Sequence, residues 1–437
     1  MPAWQARGTG GRARTPRPLV RLQAAALVAG ALLGCGAAGG QNRITLWVHA
    51  GPGPERDVYR ASIRAFNESQ DEVQVDLTEL PEGSYNDQIY AAALARQLPG
   101  VLEFDGPYVT TYAWAKRIIP IDQFPAIRAI SRDMLPTLVS QGSFNHRLYT
   151  VGQYDSGLAL WGNRKLLAQA GVGLPAVPWT LAEFEAALGK LRRSGVEHPL
   201  DMKFNYGAGE WFTYGFAPIL QSFGGDLIER KGFSTSRGFI NGPAAVRAMT
   251  LLQSWVKAGY VNASTRDDAD FIKGRSALSY VGHWTYASYR EALGRDLVLI
   301  PMPNFGGRAV TGAGSWNFGI SADCANPQAA ARLLAYLMSP REIARVTEAN
   351  GAIPGTYTAL KASRNYGPGG PLALYEEQLS RDEAVVRPAT PAYPAISMAF
   401  AEAVNDIIAG ADVKTELDKA SRRIDEEIED NHGYPVK

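Results

Sequence analysis

Aromatic and polar residues cluster at the ends of the predicted strands, where their side chains could bind a ligand. His49 follows the first predicted strand, Asp105 and Tyr108 follow the third, and Tyr154 and Asp155 occupy a polar corner between two more. Aromatic rings offer flat apolar faces, whereas carboxylates and backbone amides pair with hydroxyl groups. Because sugars carry both C–H patches and hydroxyl groups, these residue types together suit a sugar.

The same pattern recurs in the second half of the chain. Further candidate ligand contacts lie next to glycines or polar residues in the sequence. They are Trp211, Trp284, Tyr286, Gly314, Ser315 and Trp316. In open α/β sheets, ligands bind at the carboxyl ends of strands, so we expect these segments to face one cleft. Four other tryptophans lie on the faces of predicted elements and are expected in the core, namely Trp47, Trp161, Trp179 and Trp255.

The sequence contains none of the common catalytic motifs. H-E-x-x-H, G-x-S-x-G, the Walker A loop and G-x-G-x-x-G are all missing, and the five histidines are scattered without metal-ligand spacing. No catalytic residue, cofactor or metal is therefore predicted. A glycoside hydrolase with two carboxylates stays open, because any two acids can meet in space. Its candidate acids are Glu82, Asp105, Asp155 and Glu210, and Glu82 is also a candidate ligand contact.

Composition excludes several other classes of protein. The 437 residues include 44 Lys and Arg against 43 Asp and Glu, a formal net charge of +1. This balance argues against nucleic acid as the main partner. The chain has only two cysteines, which excludes a disulfide framework, a cysteine-rich zinc module and an iron–sulfur cluster.

The first 34 residues are predicted to be a signal peptide. Five arginines and no acidic residue precede an apolar run over 22–33, which is shorter than the roughly 20 residues that span a bilayer. Leu32, Leu33, Gly34 and Cys35 follow and resemble a bacterial lipobox, so Cys35 would become a lipidated N-terminus. Residues 35–41 are glycine-rich and would form a flexible tether. An uncleaved membrane anchor is the alternative.

Strand-like and helical segments alternate along the rest of the chain. Residues 43–49 and 73–77 read as strands, whereas 55–69 and 85–96 show helical spacing of apolar residues. Such alternation predicts an α/β fold in which helices cover mostly parallel sheets.

Five segments occur in an order that is typical of one protein family. They begin with ITLWVHAGP after the lipobox and continue with PGVLEFDGPYVTTYAWAKRIIPID, YTVGQYDSGLALWGN, GRSALSYVGHWTYASY and GAGSWNFGISADCANPQAAARLLAYLMSPR. In this order the chain resembles the solute-binding lipoproteins of bacterial sugar ABC importers, the family of maltose- and multiple-sugar-binding proteins. The resemblance covers essentially the whole chain after the leader.

The resemblance implies a type II periplasmic-binding-protein fold, with two α/β lobes joined by a hinge and the ligand between them. Lobe 1 would comprise residues 42–152 and 310–340, and lobe 2 residues 153–305 and 341–437. Hinge closure on the ligand is the mechanism of this class.

The resemblance also implies roles for individual residues. Asp105 would bond sugar hydroxyls, Trp284 would stack on a sugar ring, and the turn ending at Gly314, Ser315 and Trp316 would present backbone amides. Arg387 lies where some relatives place an arginine that contacts the ligand.

The resemblance further implies the partners and the location of the protein. It would act as a monomer at the outer face of the cytoplasmic membrane, anchored through acylated Cys35. Its partners would be a carbohydrate, the permease subunits and membrane lipid, with no nucleic acid. Two alternatives stay open: a binder of another solute, such as a glycerol-phosphate ester, a polyamine or an iron complex, and a secreted glycoside hydrolase.

Overall fold

The computed structural model describes residues 42–265, 269–381 and 383–436. The predicted signal peptide, the tether and Cys35 lie outside these ranges. Within them, no helix is both long and apolar enough to cross a membrane.

The strands are short, and most belong to two separate sheets. In chain order they are β1 (Asn42–His49), β2 (Val73–Leu80), β3 (Val101–Asp105), β4 (Ser143–Phe144), β5 (Arg147–Leu148), β6 (Thr150–Val151), β7 (Tyr154–Asp155), β8 (Leu158–Asn163), β9 (Leu200–Asp201), β10 (Leu278–Gly282), β11 (Leu297–Ile300), β12 (Thr311–Ala313), β13 (Trp316–Ile320), β14 (Ile353–Pro354) and β15 (Ala384–Val386).

Helices occupy most of the remaining chain. They are α1 (Gly53–Glu68), α2 (Glu82–Ala95), α3 (Val109–Trp114), α4 (Pro125–Ser131), α5 (Pro136–Gln141), α6 (Arg164–Gln169), α7 (Leu181–Arg193), α8 (Glu210–Ser222), α9 (Pro243–Lys257), α10 (Ala269–Ile272), α11 (Tyr286–Leu293), α12 (Pro327–Leu337), α13 (Pro340–Asn350), α14 (Tyr357–Ala362), α15 (Ala373–Ser380), α16 (Tyr393–Ile408) and α17 (Val413–Asp430). Short 3-10 turns span Gly106–Tyr108, Phe204–Tyr206, His283–Thr285 and Gly294–Asp296.

Each sheet forms the centre of one lobe. The sheet of lobe 1 has the strand order β2-β1-β3-β13-β6, and the sheet of lobe 2 has the order β11-β8-β10-β9. The sequence-based prediction of a two-lobed α/β fold is thus confirmed.

The prediction of mostly parallel sheets is wrong in detail. The pairs β1–β2 and β1–β3 are parallel, but β13 runs antiparallel to both of its neighbours. In lobe 2, β8 is antiparallel to both β10 and β11. The physical reason is the route of the chain. Because β8 and β13 each enter their lobe directly from the hinge, they start at the cleft, where β10 and β3 end.

Three chain segments cross between the lobes and contact one another. The first crossing contains β7, the second contains β12, and the third contains β14. Strands β7 and β14 pair with each other, with Asp155 opposite Ile353. The first crossing also meets the second through a bridge between Gly157 and Ala313. The third crossing contains α13, which packs against α1 of lobe 1. The hinge is therefore a bundle of three paired segments and not a single flexible linker.

Helical periodicity explains which faces are buried. In α1, Tyr59, Ile63 and Phe66 recur at helical spacing and face the lobe 1 core. Helix α7 begins at a capping box in which the Thr180 hydroxyl accepts from the Glu183 amide and the Glu183 carboxylate accepts from the Thr180 amide.

Two large apolar cores support the lobes. The lobe 2 core joins the sheet to α7, α8, α9, α16 and α17, with Phe184 and Trp255 among its fully buried residues. The other core covers the lobe 1 sheet and continues through the hinge to Trp161 and Tyr289 on the far face of the lobe 2 sheet. The lobes therefore share apolar packing as well as backbone.

Strand β2 forms an edge of the lobe 1 sheet, and side-chain amides cover part of it. Asn67 donates to the Val75 carbonyl oxygen at 3.0 Å and accepts from the Val75 amide at 2.8 Å. Gln70 bonds the amide and carbonyl of Val73 in the same way, at 2.8 and 2.6 Å. These amides act as a substitute for a neighbouring strand, which limits pairing with another chain.

Replacing Asn67 should therefore weaken this edge. We expect Asn67→Ala to lower the free energy of unfolding by about 1–2 kcal/mol, since two hydrogen bonds to backbone groups are lost. The variant should also self-associate more readily, as measured by urea unfolding and light scattering. Asn67→Asp is the matched control, because it keeps the acceptor for the Val75 amide and should lose about half as much. Equal stability in all three proteins would contradict the role of the edge amides.

Candidate functional site

The predicted ligand-binding segments lie where the strands of the two lobes end. Strands β1 and β3 of lobe 1 end at His49 and Asp105, and Trp316 at the start of β13 pairs directly with Asp105. In lobe 2, Gly282 at the end of β10 pairs with Leu158 at the start of β8. His49, Asp105, Trp316 and Gly282 therefore lie at the sheet edges from which the chain crosses between the lobes.

An ion-pair network centred on Arg387 joins the lobes. The Nη1 and Nη2 atoms of Arg387 each donate to one carboxylate oxygen of Asp105 at 2.7 Å, a bidentate pair. Nη1 also donates to Glu210 Oε1 at 2.6 Å. Burial alone would lower the pKa of Arg387, but the neighbouring carboxylates raise it well above its ordinary value. The guanidinium is thus a buried cation shared by carboxylates from lobe 1 and lobe 2.

Glu210 occupies the first turn of α8 and collects further donors. The Ser397 hydroxyl donates at 2.6 Å, the Tyr108 hydroxyl at 3.4 Å, and the Tyr393 hydroxyl in a shorter contact. The positive end of the α8 dipole also favours an acidic residue at this position. Burial raises the pKa of Glu210, whereas Arg387 opposes that rise. Because four donors point at its two oxygens, the carboxylate is held as an acceptor.

An aromatic cluster in lobe 2, formed by Tyr206, Trp211, Tyr214 and Trp284, adjoins this network. The Trp284 indole donates to the Tyr206 hydroxyl at 3.3 Å, and the rings of Trp211 and Trp284 meet edge to face at 6.0 Å. Tyr206 is 37% exposed, and both tryptophans are half-buried. The cluster therefore offers aromatic surface that lobe 2 does not cover.

Two contacts connect the aromatic cluster to its surroundings. The Arg387 guanidinium lies over the Tyr214 ring at 4.8 Å, and Tyr214 in turn lies 6.3 Å from Trp284. Gly282 provides the room for the indole, since a Cβ there would lie 2.0 Å from a Trp284 ring atom. A glycine two residues before the tryptophan is thus required by close packing.

Lobe 1 contributes a second aromatic surface at Trp316. Its half-buried indole stacks on the His49 ring at 3.9 Å with an angle of 7° between the planes, and the Tyr85 ring meets it edge-on at 5.4 Å. His49 Nδ1 lies 2.7 Å from Glu103 Oε2. Burial lowers the pKa of His49, but Glu103 and Glu55 outweigh this effect and raise it to about 9. The indole therefore rests on a charged imidazolium at neutral pH.

Tyr154 bonds within the protein and not toward the cleft. Its hydroxyl donates to Glu55 Oε1 at 2.8 Å, and Glu55 Oε1 lies 3.9 Å from His49 Nε2. Burial raises the pKa of both Tyr154 and Glu55. This first crossing segment is thereby attached to α1 of lobe 1.

Asp155 organises the hinge. Its Oδ1 accepts from the amides of Ser156 and Gly314, each at 2.8 Å, and its Oδ2 accepts from the Thr137 hydroxyl. Burial raises the pKa of Asp155, and these three donors oppose the rise. Gly314 has φ of +97°, and a Cβ there would lie 2.2 Å from the Gln141 amide oxygen. The carboxylate thus joins two crossing segments, and position 314 requires glycine.

A chain of polar contacts continues through the hinge. Ser156 Oγ lies 2.9 Å from His283 Nε2 and 3.0 Å from Ser315 Oγ. His283 Nδ1 lies 2.9 Å from the Asn350 carbonyl oxygen, which can only accept. Burial lowers the pKa of His283 to about 4, so the ring is neutral and Nε2 accepts from the Ser156 hydroxyl. All three crossing segments meet through these contacts.

The lobes are closed on each other. The ion pair between Asp105 and Arg387 spans the cleft directly. Binding of a solute between these two residues therefore requires the hinge to open.

Glu82 and Tyr286 also lie away from the Arg387 network. Glu82 is exposed in the first turn of α2. Tyr286 is half-buried and stacks on the core residue Trp161 at 5.7 Å. Of the tryptophans expected in the core, Trp47 is only half-buried, whereas Trp161, Trp179 and Trp255 are buried. In the described ranges, no group of three or more His, Cys, Asp or Glu side chains could hold a metal ion.

Comparison with known proteins agrees with this architecture. A family model described as bacterial extracellular solute-binding protein matches residues 61–366. The chain belongs to that family. As a member of an extracellular family, this solute-binding protein is exported. The sequence-based assignment to the solute-binding proteins is confirmed.

Individual relatives are distant in sequence but cover nearly the whole chain. An uncharacterized ABC transporter extracellular-binding protein of Pyrococcus horikoshii is 23% identical over 404 residues, covering 85% of this chain and 84% of its own. The GacH receptor of Streptomyces glaucescens, solved unliganded and with acarbose, has a TM-score of 0.76 at 23% identity and covers 89% of this chain and 98% of its own. A Listeria monocytogenes substrate-binding protein in complex with cycloalternan has a TM-score of 0.77 at 17% identity and covers 89% of this chain and 100% of its own.

Several residues at the cleft were not recognised as ligand candidates from the sequence. The sequence pattern marks Glu210 only as a candidate catalytic acid, and it does not mark Tyr214, Tyr393 or Ser397. A signal for them was present, since Glu210 and Tyr214 are four residues apart on α8, and Tyr393 and Ser397 are four apart on α16. Each pair shares one helix face.

The solute-binding protein should lose stability as pH rises above neutrality, because of His49. The folded-state pKa of about 9 exceeds the unfolded value of about 6.5, so the stabilisation is full below pH ~6.5 and is lost as pH rises through 9. The charged His49 therefore contributes ~3 kcal/mol at most to the free energy of unfolding, because each unit of difference between the folded and unfolded pKa is worth about 1.36 kcal/mol. Urea unfolding at a series of pH values from 6 to 10 measures it.

His49→Gln should flatten this pH dependence. The exposed His146, changed to Gln, is the matched control and should keep it. If His49→Gln retained the same loss of stability between pH 6.5 and 9, the charged state of His49 would be refuted.

Proposed function

We propose that this protein captures a neutral sugar or short oligosaccharide between its lobes and delivers it to the membrane permease of an ABC importer. The observation that carries the proposal is the partly exposed aromatic cluster around Trp284, which lies beside the ion pairs of Arg387 with Asp105 and Glu210. The family membership supports solute binding, and the solved relatives with acarbose and cycloalternan support a carbohydrate.

The aromatic surfaces suit the C–H faces of a sugar. Trp284 and Trp211 offer half-buried indole faces in lobe 2, and Trp316 offers one in lobe 1. Burying such a face contributes about 25 cal/mol per Å² of apolar area. Tyr108 and Glu210 lie at the partly exposed rim of the network, where they can bond hydroxyl groups.

The charge pattern favours a neutral solute over the two charged alternatives. The terminal nitrogens of Arg387 are engaged with Asp105 and Glu210, so the guanidinium is not presented to a phosphate ester. The same two carboxylates already hold an internal cation, so a polyamine would have to displace Arg387. A solute that donates and accepts hydrogen bonds without charge avoids both costs.

The hydrogen bonds also oppose the glycoside hydrolase alternative. Such an enzyme needs one carboxylic acid that carries a proton for the leaving group. Both oxygens of Asp105 accept from Arg387, and both oxygens of Glu210 accept from donors. Neither residue holds a proton to donate, so the geometry favours binding without chemistry.

A sugar panel tests the proposal. We expect the protein without its leader to bind at least one neutral sugar or oligosaccharide in calorimetric titration, and to leave it intact by mass spectrometry. Trp284→Ala should weaken that binding at least tenfold, since each 1.4 kcal/mol is a factor of ten and an indole face contributes more. Tyr357→Ala, a change at a residue that is 52% exposed on α14, is the control and should bind normally.

Three outcomes would contradict the proposal. Preference for phosphorylated sugars or polyamines would show that the solute is charged and not a neutral sugar. Formation of hydrolysis products at enzyme-like rates would favour the glycoside hydrolase. Normal binding by Trp284→Ala together with a much lower melting temperature would make Trp284 a core residue.

We also propose that the protein is a monomer anchored by lipid on Cys35 at the outer face of the cytoplasmic membrane. The support is the lipobox-like sequence that ends at Cys35, together with membership of an extracellular family. Cys35→Ala should remain unprocessed and unlipidated. Metabolic labelling with a fatty-acid analogue and cell fractionation measure this. Equal labelling of the variant and the parent would refute the lipid anchor.

A further inference from the structure

We propose that residues 431–436, named here the C-terminal strap, hold the closed state by binding Trp114 on the opposite lobe. The strap follows α17 of lobe 2, whereas Trp114 ends α3 of lobe 1. Trp114 and Tyr434 are then positioning residues for closure, outside the sugar site. The proposal concerns closure of the cleft and rests on the proposed function only for its effect on sugar affinity.

The contact combines a hydrogen bond with ring packing. The Trp114 indole Nε1 donates to the Pro435 carbonyl oxygen at 3.0 Å. The rings of Trp114 and Tyr434 meet edge to face, with centroids 5.1 Å apart and planes at 79°. This arrangement is favourable for an aromatic pair.

The strap is fixed to lobe 2 before it reaches lobe 1. The Gly433 amide donates to the Ile428 carbonyl at 2.8 Å, and the Tyr434 amide donates to the Asn431 carbonyl at 3.0 Å. The Tyr434 hydroxyl donates to Glu427 Oε1 at 2.7 Å. Because these bonds orient the strap independently of lobe 1, little order has to be gained when it meets Trp114.

The strap backbone is strained. His432 and Tyr434 both have φ of 54°, a left-handed conformation that residues other than glycine rarely adopt. Strained residues persist when surrounding contacts determine them. In this conformation Tyr434 and Pro435 both contact Trp114.

Trp114 is the outermost of three contacts along one stripe of lobe 1. Tyr108 packs edge-on against Tyr393 at 5.3 Å, and the Thr111 hydroxyl donates to the Pro391 carbonyl at 3.2 Å. Trp114 follows three residues later, about 15 Å along the chain from Asp105, from ~2.0 Å per residue in the 3-10 turn and ~1.5 Å per residue in α3. The strap therefore acts on closure from beyond the Arg387 network.

Contacts that exist only in the closed state raise the affinity for any ligand that binds that state. Losing a hydrogen bond and an aromatic pair should therefore raise the sugar Kd about 5- to 30-fold, with no sugar contact removed. The effect should be the same for every sugar that the protein binds, which distinguishes a contact that stabilises the closed state from a contact with the ligand.

The test compares three variants of the full chain that differ only at this contact. Deletion of residues 434–437 removes the strap contact, Trp114→Ala removes its partner, and deletion of residue 437 alone is the matched control, because it leaves the Pro435 carbonyl unchanged. Small-angle scattering of the unliganded proteins gives the radius of gyration, and calorimetric titration with the best sugar of the panel gives Kd.

We expect a larger radius and a 5- to 30-fold higher Kd for the first two variants, unchanged values for the control, and no added effect when the first two are combined. An unchanged radius with only a lower melting temperature would overturn the proposal and give the strap a merely structural role. If no sugar in the panel bound, the proposed function would fail, while the radius would still decide the role of the strap.

Discussion

A buried guanidinium cannot leave water without carboxylate partners, and Arg387 finds them in both lobes. Asp105 ends a strand of lobe 1, whereas Glu210 begins a helix of lobe 2. Their shared cation can be satisfied in this way only while the lobes are together. The hydroxyl donors around Glu210 and the Tyr214 ring beside the guanidinium complete the surroundings of this cation.

The hinge has a different construction from the cleft. Its three crossing segments are held by paired strands, by the Asp155 carboxylate and by the polar chain through His283. A cleft held by ion pairs can exchange those partners for water when it opens. A hinge held by backbone pairing and buried carboxylate bonds keeps its geometry during that exchange, which is what a repeated opening and closing motion requires.

The sequence was sufficient for the class of fold. Strand ends such as Asp105 and Gly282 could be recognised because glycine and proline mark them. The glycine near Trp284 predicted a ligand contact, whereas in the structure Gly282 provides the room in which the indole packs. Strand direction could not be predicted, since β8 and β13 run antiparallel only because the chain enters from the hinge.

The hydrogen-bond partners of individual polar residues could not be predicted from the sequence either. Tyr154 and Asp155 are of the residue types that often bind ligands. In the structure, however, Tyr154 donates to Glu55, and Asp155 accepts from the Gly314 amide. Such pairings join positions about 100 or more residues apart, and composition carries no information on them. Arg387 illustrates the same limit, because it pairs with Asp105, 282 residues away in sequence.

The apolar core that continues from the lobe 1 sheet through the hinge to Trp161 has a thermodynamic consequence. Lobes joined only by linkers would melt as separate units, each with its own transition. Here the unfolding of either lobe exposes apolar surface that the other lobe had covered, so the heat-capacity increase and the transition are shared between them. The protein should behave in calorimetry as one cooperative unit, although in shape and in mechanism it is built from two.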